Sequence, residues 1–150
     1  MLEYRVQPIS RWASQPARKI APLVSLLAAD EEKQLIPLSI FSSDLAPLEA
    51  VVKYLRERFQ LTYEQLGLLL DRSPMSVATT YHNAIKKQQE RLPEGDIKVP
   101  LTLFCQQHYS VLESVVAHLK GKGLSYAEIA TALHRDQRTI FTVHRRWQRK

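Results

Sequence analysis

The chain has 150 residues, and its contents of 45% hydrophobic and 24% charged residues are ordinary for a globular protein. Its 21 basic and 15 acidic side chains give a net charge of +6, which favours a polyanionic partner. A single cysteine, Cys105, excludes an internal disulfide framework and a zinc site built on cysteines, and it fits the reducing cytoplasm, where we expect the protein to act.

Residues 1–35 are predicted to form an arm followed by a helix. Residues 1–15 lack clear periodicity, so a strand-like arm, a docking segment and a disordered basic tail all remain open. From Pro16 to Gln34 the apolar residues follow the spacing of one helix face: Ile20, Leu23, Val24 and Leu27. The longest apolar stretch, residues 20–29, is too short to cross a bilayer, so we expect neither a membrane span nor an export signal.

The rest of the chain contains an internal duplication. Three blocks recur in order: 36–41 as 99–104, 48–55 as 112–119, and 61–87 as 124–150. The second block keeps five of eight residues and the third keeps six of 27, with apolar and capping positions matched throughout. A period near 63 residues is too long for a solenoid unit and fits two copies of a small helical domain. We therefore predict repeat 1, with its linker, over residues 36–98 and repeat 2 over residues 99–150.

The positive charge is concentrated in repeat 2. Residues 36–98 carry eight basic and eight acidic side chains, whereas residues 99–150 carry eight and three, a net charge of +5. Four of the five histidines also lie in repeat 2. A basic half of this kind is expected where phosphates are neutralised.

Each repeat is predicted to contain a β-prone hexamer followed by three helices. Proline in each hexamer permits only an edge or irregular strand, and pairing of the two hexamers is one arrangement left open. First helices are expected from Pro47 to about Arg58 and from about Ser110 to Lys120. Capping boxes begin the second helices at Thr62 and at Ser125. The third helices begin at Pro74, which suits a first helical position, and after the cap residue Asp136.

The fold class is therefore all-α, with two tandem helix-turn-helix units and at most a short strand pair. If the linker, residues 88–98, were fully extended, it would reach roughly 36–40 Å. That length is comparable to the separation of about 34–36 Å between two half-sites on one face of DNA. A bent linker would place the repeats closer together.

A short helix, a three-residue turn and a second helix with a polar outer face form the geometry that enters a major groove. Arginine and glutamine read guanine and adenine edges there, and Thr, Ala or Phe can meet a thymine methyl group. The predicted DNA-contacting residues of repeat 1 are Arg72, Pro74, Met75, Ala78, Thr79 and His82. Those of repeat 2 are Arg135, Gln137, Arg138, Phe141, Thr142, Arg145, Arg146 and Arg149. Arg138 is the leading candidate for base readout, His134 and His144 are expected on the same surface, and Tyr63 and Tyr126 are expected to pack over the cores of their repeats.

Residues 73–77 and 84–87 resemble the recognition helix of bacterial sigma factors, in the region (region 4) that reads the −35 promoter element. In that family the first, second, fifth and sixth residues of the recognition helix contact bases. The resemblance assigns this role to Pro74, Met75, Ala78 and Thr79, and to Gln137, Arg138, Phe141 and Thr142. The regions of that family that read the −10 element and bind core polymerase are not found. The resemblance thus implies a small prokaryotic transcriptional regulator rather than a complete sigma factor.

No pattern in the sequence indicates an enzyme. None of His108, His118, His134 and His144 forms an i, i+4 pair with another histidine, so we expect no metal site. A glycine-rich phosphate loop, a nucleophile elbow and a spaced carboxylate set are also missing, so no catalytic residue or cofactor is predicted.

Double-stranded DNA is thus the predicted partner. Two rivals remain open: an accessory DNA-binding subunit of a transposase or recombinase, and a module that docks on RNA polymerase through the neutral repeat 1. The sequence leaves open whether the chain forms a homodimer, which operator it reads, and whether it activates or represses.

Overall fold

The computed structural model describes residues 35–92, 95 and 97–150. Apart from Leu35, the predicted N-terminal arm and helix lie outside these residues. The described chain is helical with one short antiparallel strand pair, which confirms the predicted fold class. Within it, no helix combines the length and apolar character needed to cross a membrane.

Both repeats consist of the same five elements in the same order. In repeat 1 these are β1 (Leu35–Pro37), a 3-10 helix (Leu38–Ser42), α1 (Pro47–Phe59), α2 (Tyr63–Leu70) and α3 (Pro74–Lys87). In repeat 2 they are β2 (Lys98–Pro100), a 3-10 helix (Leu101–Phe104), α4 (Val111–Gly121), α5 (Tyr126–Leu133) and α6 (Gln137–Arg149). The duplication seen in the sequence is therefore a duplication of structure.

Side-chain caps begin the helices where the sequence predicts them. Thr62 Oγ1 accepts a hydrogen bond from Gln65 N, and the Gln65 side chain accepts one from Thr62 N. Ser125 and Glu128 form the same reciprocal pair at the start of α5. Asp136 Oδ1 accepts from Arg138 N at 2.7 Å and caps α6. These bonds satisfy amides that the first turn of a helix leaves without partners.

At the strand pair, the contacts between the two repeats follow an approximate local two-fold axis. Ile36 lies opposite Val99, its equivalent in the other repeat, and the neighbouring pairs exchange places symmetrically: Leu35 with Pro100 and Pro37 with Lys98. Phe41 and Phe104, which are also equivalent, have ring centroids 6.1 Å apart. Contact between equivalent positions is what a two-fold axis produces, as in a symmetric dimer.

One hydrophobic core runs through both repeats. Helix α5 of repeat 2 packs against the first 3-10 helix, and the Gln107 side chain donates a hydrogen bond to the carbonyl of Asp71. The linker folds back onto the core, because Leu92 is buried and Leu38 N donates to Ile97 O at 2.7 Å. Of the two arrangements left open by the sequence, the structure has the one in which the repeats lie close together, since they pack directly against each other.

Candidate nucleic-acid interface

The turns between the second and third helices have the same backbone conformation in both repeats. Asp71 and His134 occupy equivalent positions and both have left-handed backbone angles, with φ of 59° and 53°. In the next residue, Arg72 N donates to Gly67 O at 2.9 Å, and Arg135 N donates to Ala130 O at 3.0 Å. The turn thus fixes the angle at which each third helix leaves its repeat.

Gly67 allows the turn of repeat 1 to approach α2 closely. A Cβ atom at this position would lie 2.6 Å from Arg72 O and 3.3 Å from Pro74 N. In repeat 2 the equivalent residue is Ala130, which is buried and carries a methyl group. The two turns therefore have the same hydrogen bond but differ in the space that they leave for a Cβ atom at this position of the second helix.

Helix α6 presents one buried and one exposed face. Ile140 and Val143 are buried, while the predicted DNA-contacting residues of this helix are exposed: Gln137, Arg138, Phe141, Thr142, Arg145, Arg146 and Arg149. Arg138, Arg145 and Arg149 follow an i, i+7, i+11 spacing, so they form one stripe along the helix. No carboxylate in the described part of the chain pairs with these arginines. Their charge is therefore available to a polyanion.

Helix α3 presents a neutral face at the equivalent positions. Pro74, Met75, Thr79 and His82 are exposed, and Met75 has 80% of its surface accessible. Ala78 is half-buried, as are Arg72 and Arg135 in the two turns. Thr79 Oγ1 donates to Met75 O at 3.0 Å, so its hydroxyl hydrogen is already engaged by the backbone.

His144 is buried, so the expectation that it lies on the exposed face of α6 is wrong. Its Nδ1 lies 2.8 Å from the Tyr126 hydroxyl, and its ring stacks on Trp147 with centroids 5.7 Å apart. Burial and the nearby positive charge of Lys120 lower the pKa of His144 below its usual value of 6.5. The ring is therefore neutral at physiological pH, and its contacts with Tyr126 and Trp147 stabilise the buried side of α6.

Tyr126 joins this buried contact to the exposed face. Its ring meets Phe141 edge-on at 5.4 Å, and Lys120 Nζ lies 4.3 Å from its centroid. In repeat 1 the equivalent Tyr63 lies 4.1 Å from the Arg56 guanidinium. Both tyrosines pack against the core, as the sequence predicts, and both carry a cation from the end of the first helix.

Two ion pairs at equivalent positions hold the ends of the third helices. Lys87 Nζ lies 2.8 Å from Glu49 Oε1, and Lys150 Nζ lies 2.7 Å from Glu113 Oε1. Burial raises the pKa of both glutamates, but hydrogen bonds from the lysines and from backbone amides outweigh it and leave the pKa values below the usual range. Sequence reasoning missed these pairs, although the recurrence of all four residues in the duplication was a signal for them.

No group of three or more metal-ligating side chains occurs among the described residues. Comparisons of the chain with protein-family models, with curated proteins and with solved structures gave no match. A function is therefore inferred from the geometry of the two units and from the sequence resemblance of residues 73–77 and 84–87 to the recognition helix of sigma factors.

Proposed function

We propose that this protein is a cytoplasmic, sequence-specific transcriptional regulator that binds double-stranded DNA through α3 and α6. The observation that carries the proposal is the stripe of three arginines on the exposed face of α6, which pair with no carboxylate among the described residues, at the end of a helix-turn-helix. A helix of about 10–12 Å diameter fits the major groove, which is about 12 Å wide.

Position along α6 separates base readout from phosphate contact. Gln137 and Arg138 lie at the N-terminal end, where a recognition helix meets base edges. Arg138 is suited to the two acceptors of guanine, and Gln137 to the edge of adenine. Arg145, Arg146 and Arg149 lie in the later turns and are suited to phosphates, which fix the register of the helix on the duplex.

The approximate two-fold axis favours an inverted pair of half-sites. Because the repeats are packed into one body, the two recognition helices have a fixed separation. We expect half-site centres about 10–10.5 bp apart, as for a symmetric dimer. The half-sites should differ in sequence, because Pro74, Met75 and Ala78 cannot make the hydrogen bonds open to Gln137 and Arg138.

Selection of bound sequences from a random duplex pool, followed by anisotropy titrations across salt concentrations, tests the proposal. Each phosphate contact contributes about 0.9 to the negative log–log salt slope. Arg145→Gln and Arg149→Gln should each reduce the slope by about one such contact. Lys122→Gln is the matched control, because this exposed lysine lies at the end of α4 and outside the α6 stripe. Affinity that does not change with salt, or a pool without enrichment, would refute the proposal.

A second candidate is protein docking through repeat 1, and the exposure of Met75 on a neutral helix favours it. RNA polymerase is the partner that the sigma-like resemblance implies. Met75→Glu should then abolish capture of polymerase and leave the DNA motif unchanged. Loss of one half-site from the selected motif would instead assign α3 to DNA. Co-purification of a transposase or recombinase would favour the accessory role.

A further inference from the structure

Repeat 1 contains a polar cavity that lies outside the proposed base-reading residues. It has a volume of 520 Å³ and opens between the end of α1, the side of α3 and the segment that follows α3. The lining residues are Arg56, Glu57, Gln60, Tyr81, Gln89 and Arg91. Among the described lining residues, two guanidiniums, two amides and one phenol thus face a common space with one carboxylate.

The carboxylate is neutralised from inside the protein. Lys53 is fully buried, and its Nζ lies 2.6 and 2.7 Å from the two oxygens of Glu57. The Tyr81 hydroxyl donates to the same carboxylate at 3.2 Å. Glu57 therefore contributes little net negative charge, and the two arginines leave the cavity positive.

The fold does not require this buried ion pair. Repeat 2 has Ala117 at the position of Lys53 and Gly121 at the position of Glu57, and it builds the same helices. Burying the ammonium group of Lys53 is unfavourable unless a partner compensates for its lost hydration, and Glu57 supplies that partner. Such a costly local arrangement, present in only one of two similar units, is expected at a functional site.

Among the described residues, Arg56 has more contacts that fix its position than Arg91 has. Arg56 donates to Leu61 O at 2.9 Å, and its guanidinium lies 4.1 Å from the Tyr63 ring and 5.0 Å from the Tyr81 ring. Arg91 is exposed, and no carboxylate among the described residues pairs with it. One fixed and one adjustable guanidinium are suited to planar or tetrahedral oxyanions, which they bind through paired N–H donors.

We propose that this cavity is a binding site for a phosphate group, held by Arg56 and Arg91 with Gln60 and Gln89 as further hydrogen-bonding partners. The occupant is a free small molecule or a backbone phosphate of bound DNA. Tyr81 belongs to α3, so the occupant contacts the end of α1 and the recognition helix of repeat 1 together. Binding at this site therefore bears on the placement of α3.

The test uses the full chain without DNA and inorganic phosphate as the probe. Phosphate is titrated against a chloride control of equal ionic strength, and backbone amide resonances are recorded by NMR. We expect saturable shifts confined to the surroundings of Arg56, Tyr81 and Gln89. Arg91→Gln should weaken binding about tenfold or more, because one charge-assisted contact is lost. The control is Lys122→Gln, which removes an exposed cation at the end of α4, outside both the cavity and the α6 stripe, and should leave phosphate binding unchanged.

Absence of saturable shifts throughout the millimolar range would overturn the inference, as would equal phosphate affinity in Arg91→Gln. A second measurement identifies the source of the anion. If Arg91→Gln also lowers the salt slope for duplex binding by about 0.9, the site receives a DNA phosphate. If the slope is unchanged while phosphate binding is lost, the occupant is a free ligand. Phosphate binding is measured without DNA. A protein that does not bind DNA as proposed could therefore still bind phosphate at this site, so the two results are distinguishable.

Discussion

The close approach of the turn to Gly67 predicts that Gly67→Ala destabilises the protein. Helix propensity alone predicts the opposite effect. Replacing a glycine by alanine inside a helix ordinarily stabilises a protein by about 0.5–1 kcal/mol. At Gly67, however, the new Cβ would lie 2.6 Å from Arg72 O, and real Cβ contacts are essentially never shorter than 3.0 Å. The obstacle is backbone of the turn, so either α2 or the start of α3 must move.

Overpacking of this kind costs about 1–3 kcal/mol. The propensity gain offsets part of it, so Gly67→Ala should lower the free energy of unfolding by about 1–2 kcal/mol. For a chain of this size the melting temperature should fall by roughly 2–8 °C. Because the same shift moves α3, affinity for the selected duplex should also fall if repeat 1 reads DNA.

Gly121→Ala is the matched control, because it makes the same substitution at the end of α4. A Cβ at Gly121 meets no atom within 4 Å, and its backbone is helical. This variant should be as stable as the wild type or more stable by up to about 1 kcal/mol. Denaturant unfolding followed by far-ultraviolet circular dichroism measures both variants. A Gly67→Ala protein that matches the stability of Gly121→Ala would show that the turn yields without cost and would refute the reasoning.

Three further predictions concern the DNA complex and the buried imidazole. Arg138→Ala should cost about 1–3 kcal/mol on the selected site and relax preference at one base pair. An equal loss on random DNA would reassign Arg138 to a phosphate. Inserting about five base pairs between the half-sites turns one of them to the opposite face, so affinity should fall toward that of repeat 2 alone. Affinity indifferent to this insertion would contradict simultaneous reading by both repeats. The folded-state pKa of His144 is depressed, so its contribution is complete above the unfolded value of about 6.5 and is lost as the pH falls below it. His144→Gln should therefore flatten the decline in stability as the pH falls below about 6.5, as urea titrations would reveal.

Local chemistry made much of this fold predictable from the sequence. A cap such as Thr62 or Asp136 acts within three residues, so its partner amide can be read directly from the chain. The strand register and the path of the linker depend on contacts between the repeats, and helical spacing carries no information about them. His144 shows the same limit within one helix. Its place on the flank of α6 follows from periodicity, but its burial depends on contacts with Tyr126 and Trp147.

Comparison of the two repeats separates the residues that stabilise the fold from those that would determine ligand specificity. The glutamate–lysine pairs, the left-handed turn residues and the cations over Tyr63 and Tyr126 recur at equivalent positions. The outward residues of the third helices differ instead in size, charge and hydrogen bonding: Pro74 and Gln137, Met75 and Arg138, Ala78 and Phe141. A symmetric dimer must present identical recognition helices to both half-sites, whereas a duplicated chain is released from that constraint. We therefore infer that the unequal faces serve discrimination of unequal half-sites, with phosphate affinity concentrated in repeat 2.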